Sequence, residues 1–197
     1  MKVIGITIDE VLRDFLGHLS YTMSKIREDE EYVVTEDDVT DFDLVKHYKF
    51  ESKEEMYTLF YKEASLEIFG HPDQLHDNIV GKLNTLYMDM IDEEEDVEFI
   101  IMTRAVGRAI PATLFFLSKL ESEIPNIKFF KTYEEMWDHA DILITANPIA
   151  LDSKPKGKTS AKVTCSYNKE TKADFTIDSL ENFISDEDLR QEIINKN

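Results

Sequence analysis

The sequence predicts an α/β protein: a parallel-sheet core with a helical cap inserted after the first strand. Three observations carry this. A β-branched run, Lys2-Val-Ile-Gly-Ile-Thr-Ile8, stands at the start and reads as a buried strand. From about Leu16 to Asp92 apolar residues recur at threes and fours, with almost no strand signal. Beyond the acidic run 92–98, short apolar runs alternate with helical periods, the order of a parallel α/β sheet. The division that follows is a core of 1–15 and 96–197 around a cap of 16–95.

The elements follow in order. Leu12, Phe15, Leu16, Leu19, Met23 and Ile26 line one helical face. Ser52-Lys-Glu-Glu55 is a capping-box start for a second helix, which Gly70-His-Pro72 ends. Ile79, Leu83, Leu86, Tyr87 and Met90 make a third. Phe99-Ile-Ile-Met102 is the next strand, and Ala109 to Leu120 a helix with Pro111 tolerated in its first turn. Ile127 to Phe130 is a strand, after which Thr132 caps a helix with Glu135 three residues on. Ile142-Leu-Ile144 and Ala161 to Tyr167 are further strands. A last helix begins near Ser185 or Asp186. Trp137 and the pairs Phe115–Phe116 and Phe129–Phe130 read as core packing.

Composition narrows the function classes. The 197 residues carry 22 Lys and Arg against 41 Asp and Glu, a formal charge of −19. Phosphate-backbone affinity comes from clustered cations, so no nucleic-acid partner is expected. At 42% hydrophobic residues the chain can build a core. No apolar run approaches ~18 residues, so no membrane span is expected, and the acidic start is not a secretory signal. The lone Cys165 excludes an internal disulfide framework and a CxxC zinc site, and fits a reducing, intracellular compartment.

In open parallel sheets, ligands bind at the carboxyl ends of strands. Three segments therefore matter: Thr7-Ile-Asp9-Glu-Val-Leu12, Thr103-Arg104 and Thr145-Ala-Asn-Pro148. Their order and spacing resemble the haloacid-dehalogenase-like phosphohydrolases, especially the 5′(3′)-deoxyribonucleotidase branch and its phage relatives. The segment from Asp41 to Leu44 through Ile68 to His71 is similar to the cap of those relatives. The resemblance implies a Rossmann-like core, a helical cap, magnesium and phosphomonoester chemistry. It puts the family's nucleophilic Asp at Thr7, its acid/base Asp at Asp9, the Gly after it at Glu10, and its Ser/Thr at Thr103. The motif Lys falls on Lys131 or Lys128. The two acids of the last motif fall on Thr145 and Ala146, with Pro148 kept.

These departures bear directly on chemistry. An aspartyl phosphate needs a carboxylate to attack phosphorus, and Thr7 offers only a hydroxyl of high pKa. Magnesium binds through carboxylates and phosphate oxygens, and the positions of three such acids are lost. Removing a nucleophile alone costs roughly 10⁶-fold in kcat elsewhere. The expectation is therefore a chain that is not an enzyme: no functional catalytic residue, no metal and no cofactor. A structural or protein-interaction role follows, in an assembly and, by resemblance only, in a phage virion. The alternatives are a protein that binds a nucleotide or phosphate without cleaving it, and a magnesium-dependent 5′-nucleotidase in which Asp14 or Glu10 replaces the lost acids.

Four lysines in nine residues, Lys154, Lys156, Lys158 and Lys162, contrast with the acidic whole and are candidate anion ligands near the mouth of the site. They are no P-loop, since Gly157-Lys-Thr lacks the earlier Gly. The acidic clusters 28–31, 36–43 and 92–98 read as solvated faces or as a docking surface for a basic partner; the 36–43 cluster lacks the EF-hand ligand order. The five histidines, His18, His47, His71, His76 and His139, show no metal-ligand spacing.

Overall fold

The computed structural model describes residues 1–27, 34–93 and 96–196. The acidic cluster 28–31 and Glu94–Glu95 lie outside the described residues. Six parallel strands form one sheet: β1 Lys2–Thr7, β2 Val97–Thr103, β3 Ile127–Phe129, β4 Ile142–Thr145, β5 Thr159–Val163 and β6 Phe175–Ile177. Their spatial order is β3-β2-β1-β4-β5-β6. Strand order reverses between β1 and β4, so the crevice beyond their carboxyl ends is a topological switch point.

Strand alternation divides the core. Ile100 and Met102 of β2 and Leu143 of β4 face one side, with Trp137 and Ala150. Phe99, Ile101, Ile142 and Ile144 face the other. On the first side lie α7 (Tyr133–His139) and α8 (Pro148–Asp152), tied by Trp137 Nε1 donating to the Ala150 carbonyl at 2.8 Å. Trp137 is fully buried, as its place between two strands predicts. Gly5 sits where a Cβ would meet Met102 Sδ at 2.6 Å, so a side chain there would displace the neighbouring strand's core residue.

Between β1 and β2 the described residues are helical: α1 (Phe15–Arg27), α2 (Leu44–His47), α3 (Lys53–Thr58), α4 (Ser65–Phe69) and α5 (Ile79–Asp92). Ser52 caps α3 by accepting from Glu55 N, as its spacing predicts. The run predicted as one helix to Gly70 is broken by a π-turn over Leu59–Glu63, which ends at Ala64 before α4. The remaining core helices are α6 (Ala109–Lys119), α9 (Leu180–Ser185) and α10 (Glu187–Asn195). Tyr87 of α5 and Phe183 of α9 both pack on Phe99, so the insert's last helix lies on the sheet.

Three expectations are corrected. The fifth strand runs Thr159–Val163, ending four residues short of Tyr167. The short elements α8, β6 and α9 were not predicted. Phe115 is 46% exposed on α6 rather than packed, whereas its neighbour Phe116 is buried. No helix among the described residues is long and apolar enough to cross a membrane.

Candidate functional site

The carboxyl ends of β2, β1 and β4 lie side by side and place Thr103, Thr7 and Thr145 in a row. The Thr7 hydroxyl lies 2.9 Å from that of Thr145, and Thr145 Oγ1 also accepts from Asn147 N at 3.1 Å. Thr103 Oγ1 accepts from Ala105 N at 3.1 Å. All three are buried, and Thr103 and Thr145 turn the chain at their strand ends through these backbone bonds. Ala146 is buried too, its carbonyl accepting from Asn168 Nδ2 at 2.7 Å.

Asp9 leaves the sheet on a tight turn. Its Oδ1 accepts from both Nε (2.8 Å) and Nη2 of Arg13. Arg13 is fully buried, donates to the Phe69 carbonyl, and lies over the rings of Phe69 and Phe116 at 5.2 and 5.3 Å. A lone buried guanidinium would be costly, and the carboxylate with two aromatic faces compensates it. Sequence reasoning passed over Arg13; its signal is an arginine inside the apolar stretch Val11-Leu-Arg-Asp-Phe-Leu16.

Glu10 stands where the resembled family has glycine, and its φ of +56° is the reason glycine suits that place. Its side chain turns inward and accepts from Leu16 N at 2.7 Å, in the first turn of α1. Burial, with Glu36, Asp14 and Asp9 nearby, pushes its carboxyl up to about 8 against the backbone hydrogen bond from Leu16. Asp14 Oδ1 accepts from Gly17 N at 2.9 Å on the same helix start. Both acids proposed as replacement ligands are thus engaged with α1.

A second group surrounds Arg104, which follows β2. Its guanidinium lies 4.5 Å over the Tyr133 ring, and its Nε donates to the Lys131 carbonyl at 3.0 Å. Arg104 and Asn147 lie near the Tyr133 phenol and oppose the rise that burial gives it. Tyr61, from the π-turn, completes the group: burial first, then Asp9, raises its phenol to about 12. Burial likewise raises Tyr133. Both phenols keep their protons at neutral pH and can donate to an anion. Lys131 lies beyond the end of β3 beside Arg104, whereas Lys128 sits inside the strand opposite Met102. Tyr61, Tyr133 and Asn147 were not among the sequence candidates.

The lysine stretch is elsewhere. Lys154, Lys156 and Lys158 precede β5 and stand at its amino end, the edge opposite the strand-end site. Lys154 pairs with Asp174 at 3.0 Å and Lys158 with Asp141 at 2.9 Å. Lys162 is 5% exposed, its Nζ donating to the carbonyls of Asn168, Lys169 and Thr171. The expectation that these four lysines converge near the mouth of the site is corrected: the chain crosses to the far edge through α8 before Lys154, Lys156 and Lys158, and Lys162, which β5 brings back opposite Thr145, has its Nζ engaged by the three carbonyls.

Magnesium does not fit this donor set. Thr7, Thr145 and Ala146 bring no carboxylate, and Asp9 is bound by Arg13. Among the described residues no group of three or more His, Cys, Asp and Glu is placed to hold a metal ion.

No protein-family model matches the chain, and no curated protein does. Among solved structures it is similar to a phosphonoacetaldehyde hydrolase-like protein from Oleispira antarctica, with 14% identity and a TM-score of 0.63 over 100% of this chain and 95% of the other. It is also similar to a candidate β-phosphoglucomutase from Bacteroides vulgatus, with 10% identity and a TM-score of 0.48 over 100% and 91%. The expectation that the chain is not an enzyme is corrected by this likeness. Its whole length shares the fold of that hydrolase-like protein, and the residues at positions 7, 145 and 146 do not by themselves decide activity. The chain has a Rossmann-like, haloacid-dehalogenase-like α/β fold.

Proposed function

We propose that the strand-end site binds a small phosphate-bearing anion. The observation that carries this is Arg104. Stacked on Tyr133 and tethered through Nε, it presents a guanidinium whose position is set before a ligand arrives. Lys131 adds a second cation at the same edge, and the phenols of Tyr61 and Tyr133 add donors. Both cations stand beside Glu134 and Glu135 of the α7 start, so their geometry rather than a net local charge selects the anion. The threonine hydroxyls at positions 7 and 145 stand beside this group and hydrogen-bond each other.

Calorimetric titration with inorganic phosphate and with deoxynucleoside monophosphates tests the reading. Binding that weakens about tenfold or more in Arg104→Ala supports it. Affinity unchanged in that variant, or no binding of either probe, overturns it.

A further inference from the structure

Helix α6 packs inward through Ala109, Ala112, Thr113, Phe116 and Leu117, all buried. Its opposite face is Pro111, Leu114, Phe115 and Ser118, all exposed, Leu114 by 41% and Phe115 by 46%. Leu66 of α4, 47% exposed, extends this strip. A Cβ on Gly70 would stand 2.6 Å from Leu66 Cδ1 and 3.2 Å from the Ala112 carbonyl oxygen, so α4 closes tightly on α6 there. The strip bears no charge in a chain of −19. Charges along its border are engaged within the chain. Lys119 Nζ donates to the His71 and Pro72 carbonyls at 2.9 and 2.6 Å, and Glu67 lies 2.9 Å from His71 Nδ1. The His71 ring meets Phe115 edge-on at 5.9 Å. The two ends differ: Arg108 precedes the first turn of α6, and Glu121 follows its cap, Leu120. Both are exposed, and among the described residues neither side chain has an oppositely charged partner. Arg108 Nη1 donates to the Lys62 carbonyl, which leaves its charge uncancelled. Along the helix axis, Arg108 and Glu121 stand equally far from the Leu114–Phe115 bond, each about 10 Å away.

We infer that a second copy of this chain docks on this strip, its α6 antiparallel to the first about a two-fold axis at the Leu114–Phe115 bond. Leu114 and Phe115 meet their equivalents at the axis, Pro111 faces Ser118 of the other copy, and Arg108 comes level with the other copy's Glu121. Helices packed about 8–10 Å apart leave that ion pair within reach of two long side chains. A two-fold contact uses one patch twice, so every pairing occurs twice. Opposite charges at the two ends with none between them are self-complementary under this axis, an order that neither a basic nor an acidic partner calls for. The contact is small, so a dissociation constant on the order of 10 µM is expected. The inference does not rest on the anion site.

The test is sedimentation velocity of the full chain from about 2 to about 200 µM in about 0.15 M salt, where repulsion between the two acidic copies is screened beyond about 8 Å. The chain is expected to pass from monomer to dimer across this range. L114S/F115S is expected to weaken pairing about tenfold or more. M88S/I91S, which removes two exposed apolar side chains from α5, is expected to change it by less than about twofold. Arg108→Glu and Glu121→Arg each set like charges together twice, and each is expected to weaken pairing about tenfold. An equimolar mixture of these two variants restores both ion pairs in a mixed dimer, and is expected to recover the wild-type affinity to within about threefold. Monomer throughout, equal losses in the two apolar double variants, or a mixture that pairs no more tightly than either charge variant alone overturns the inference. Circular dichroism of each variant confirms that it remains folded.

Discussion

The two edges of the sheet hold comparable numbers of cations and use them in opposite ways. At the amino edge Lys154 and Lys158 are each matched to a carboxylate, Asp174 and Asp141, and Asp141 also accepts from Val3 N at 3.0 Å. Lys158 fastens the loop before β5 to the residue before β4, and Lys154 fastens it to the residue before β6. At the carboxyl edge Arg13 is consumed by Asp9, but Arg104 is held by a ring face and a carbonyl, neither of which cancels its charge. Density of lysine along the chain therefore says little about charge offered to a ligand. What each cation is paired with decides it.

The largest expected effect would break this comparison at the buried end. Arg13→Met removes the partner of Asp9 and two cation–ring contacts, and is expected to cost about 3–5 kcal/mol in urea unfolding. A cost under about 1 kcal/mol would mean that the Asp9–Arg13 pair holds nothing together.

Glu10 gives the next effect, through pH. Folding lifts its carboxyl from an ordinary 4.5 to about 8, so the folded chain holds a proton the unfolded chain releases. This stabilisation is complete below 4.5 and is lost as pH rises through about 8, a change on the order of a few kcal/mol. Glu10→Gln cannot ionise. Its unfolding free energy is expected to decline less than that of the wild type between pH 5 and 8, and parallel curves would show that Glu10 is already charged in the fold.

Two smaller effects sharpen the contrast between the edges. Arg104→Ala is expected to weaken phosphate binding about tenfold while changing stability by less than about 0.5 kcal/mol. Lys158→Ala should do the reverse: phosphate affinity unchanged, and a stability loss of at most about 1 kcal/mol for a partly exposed pair. An affinity loss in Lys158→Ala would return the lysine stretch to the binding site.

Much of the fold was legible because buried parallel strands leave unbroken apolar runs, as Phe99 to Met102 and Ile142 to Ile144 do. β6 left no such run: it lies at the sheet edge, and of Phe175, Thr176 and Ile177 only Ile177 is buried. α8 and α9 span five and six residues, too few to establish a helical period. Missing α8 had a consequence for the site. Without that crossover Lys154, Lys156 and Lys158 would stay at the carboxyl edge, whereas five helical residues carry the chain across before them. The threonines at the strand ends were legible by position. Arg104 with Tyr133 and Tyr61 was not, because three distant segments meet there and none of them carries a motif alone.

The π-turn at Leu59–Glu63 has an evolutionary and engineering consequence. It holds one residue more than an α-turn, and that surplus points the Tyr61 and Lys62 carbonyls at the β2–α6 loop, where Arg108 N and Nη1 donate to them at 3.3 and 2.8 Å. Gly107, at φ +56°, lies so close that a Cβ would stand 3.2 Å from the Tyr61 carbonyl. Excising a single residue from this turn would let the segment from Lys53 to Phe69 wind as one uninterrupted helix. Everything downstream would rotate by about 100°, and both acceptors would swing away from Arg108. Single-residue length changes here thus act as a rotary adjustment of the insert on the sheet, a route by which related chains can re-aim the same side chains without exchanging any of them.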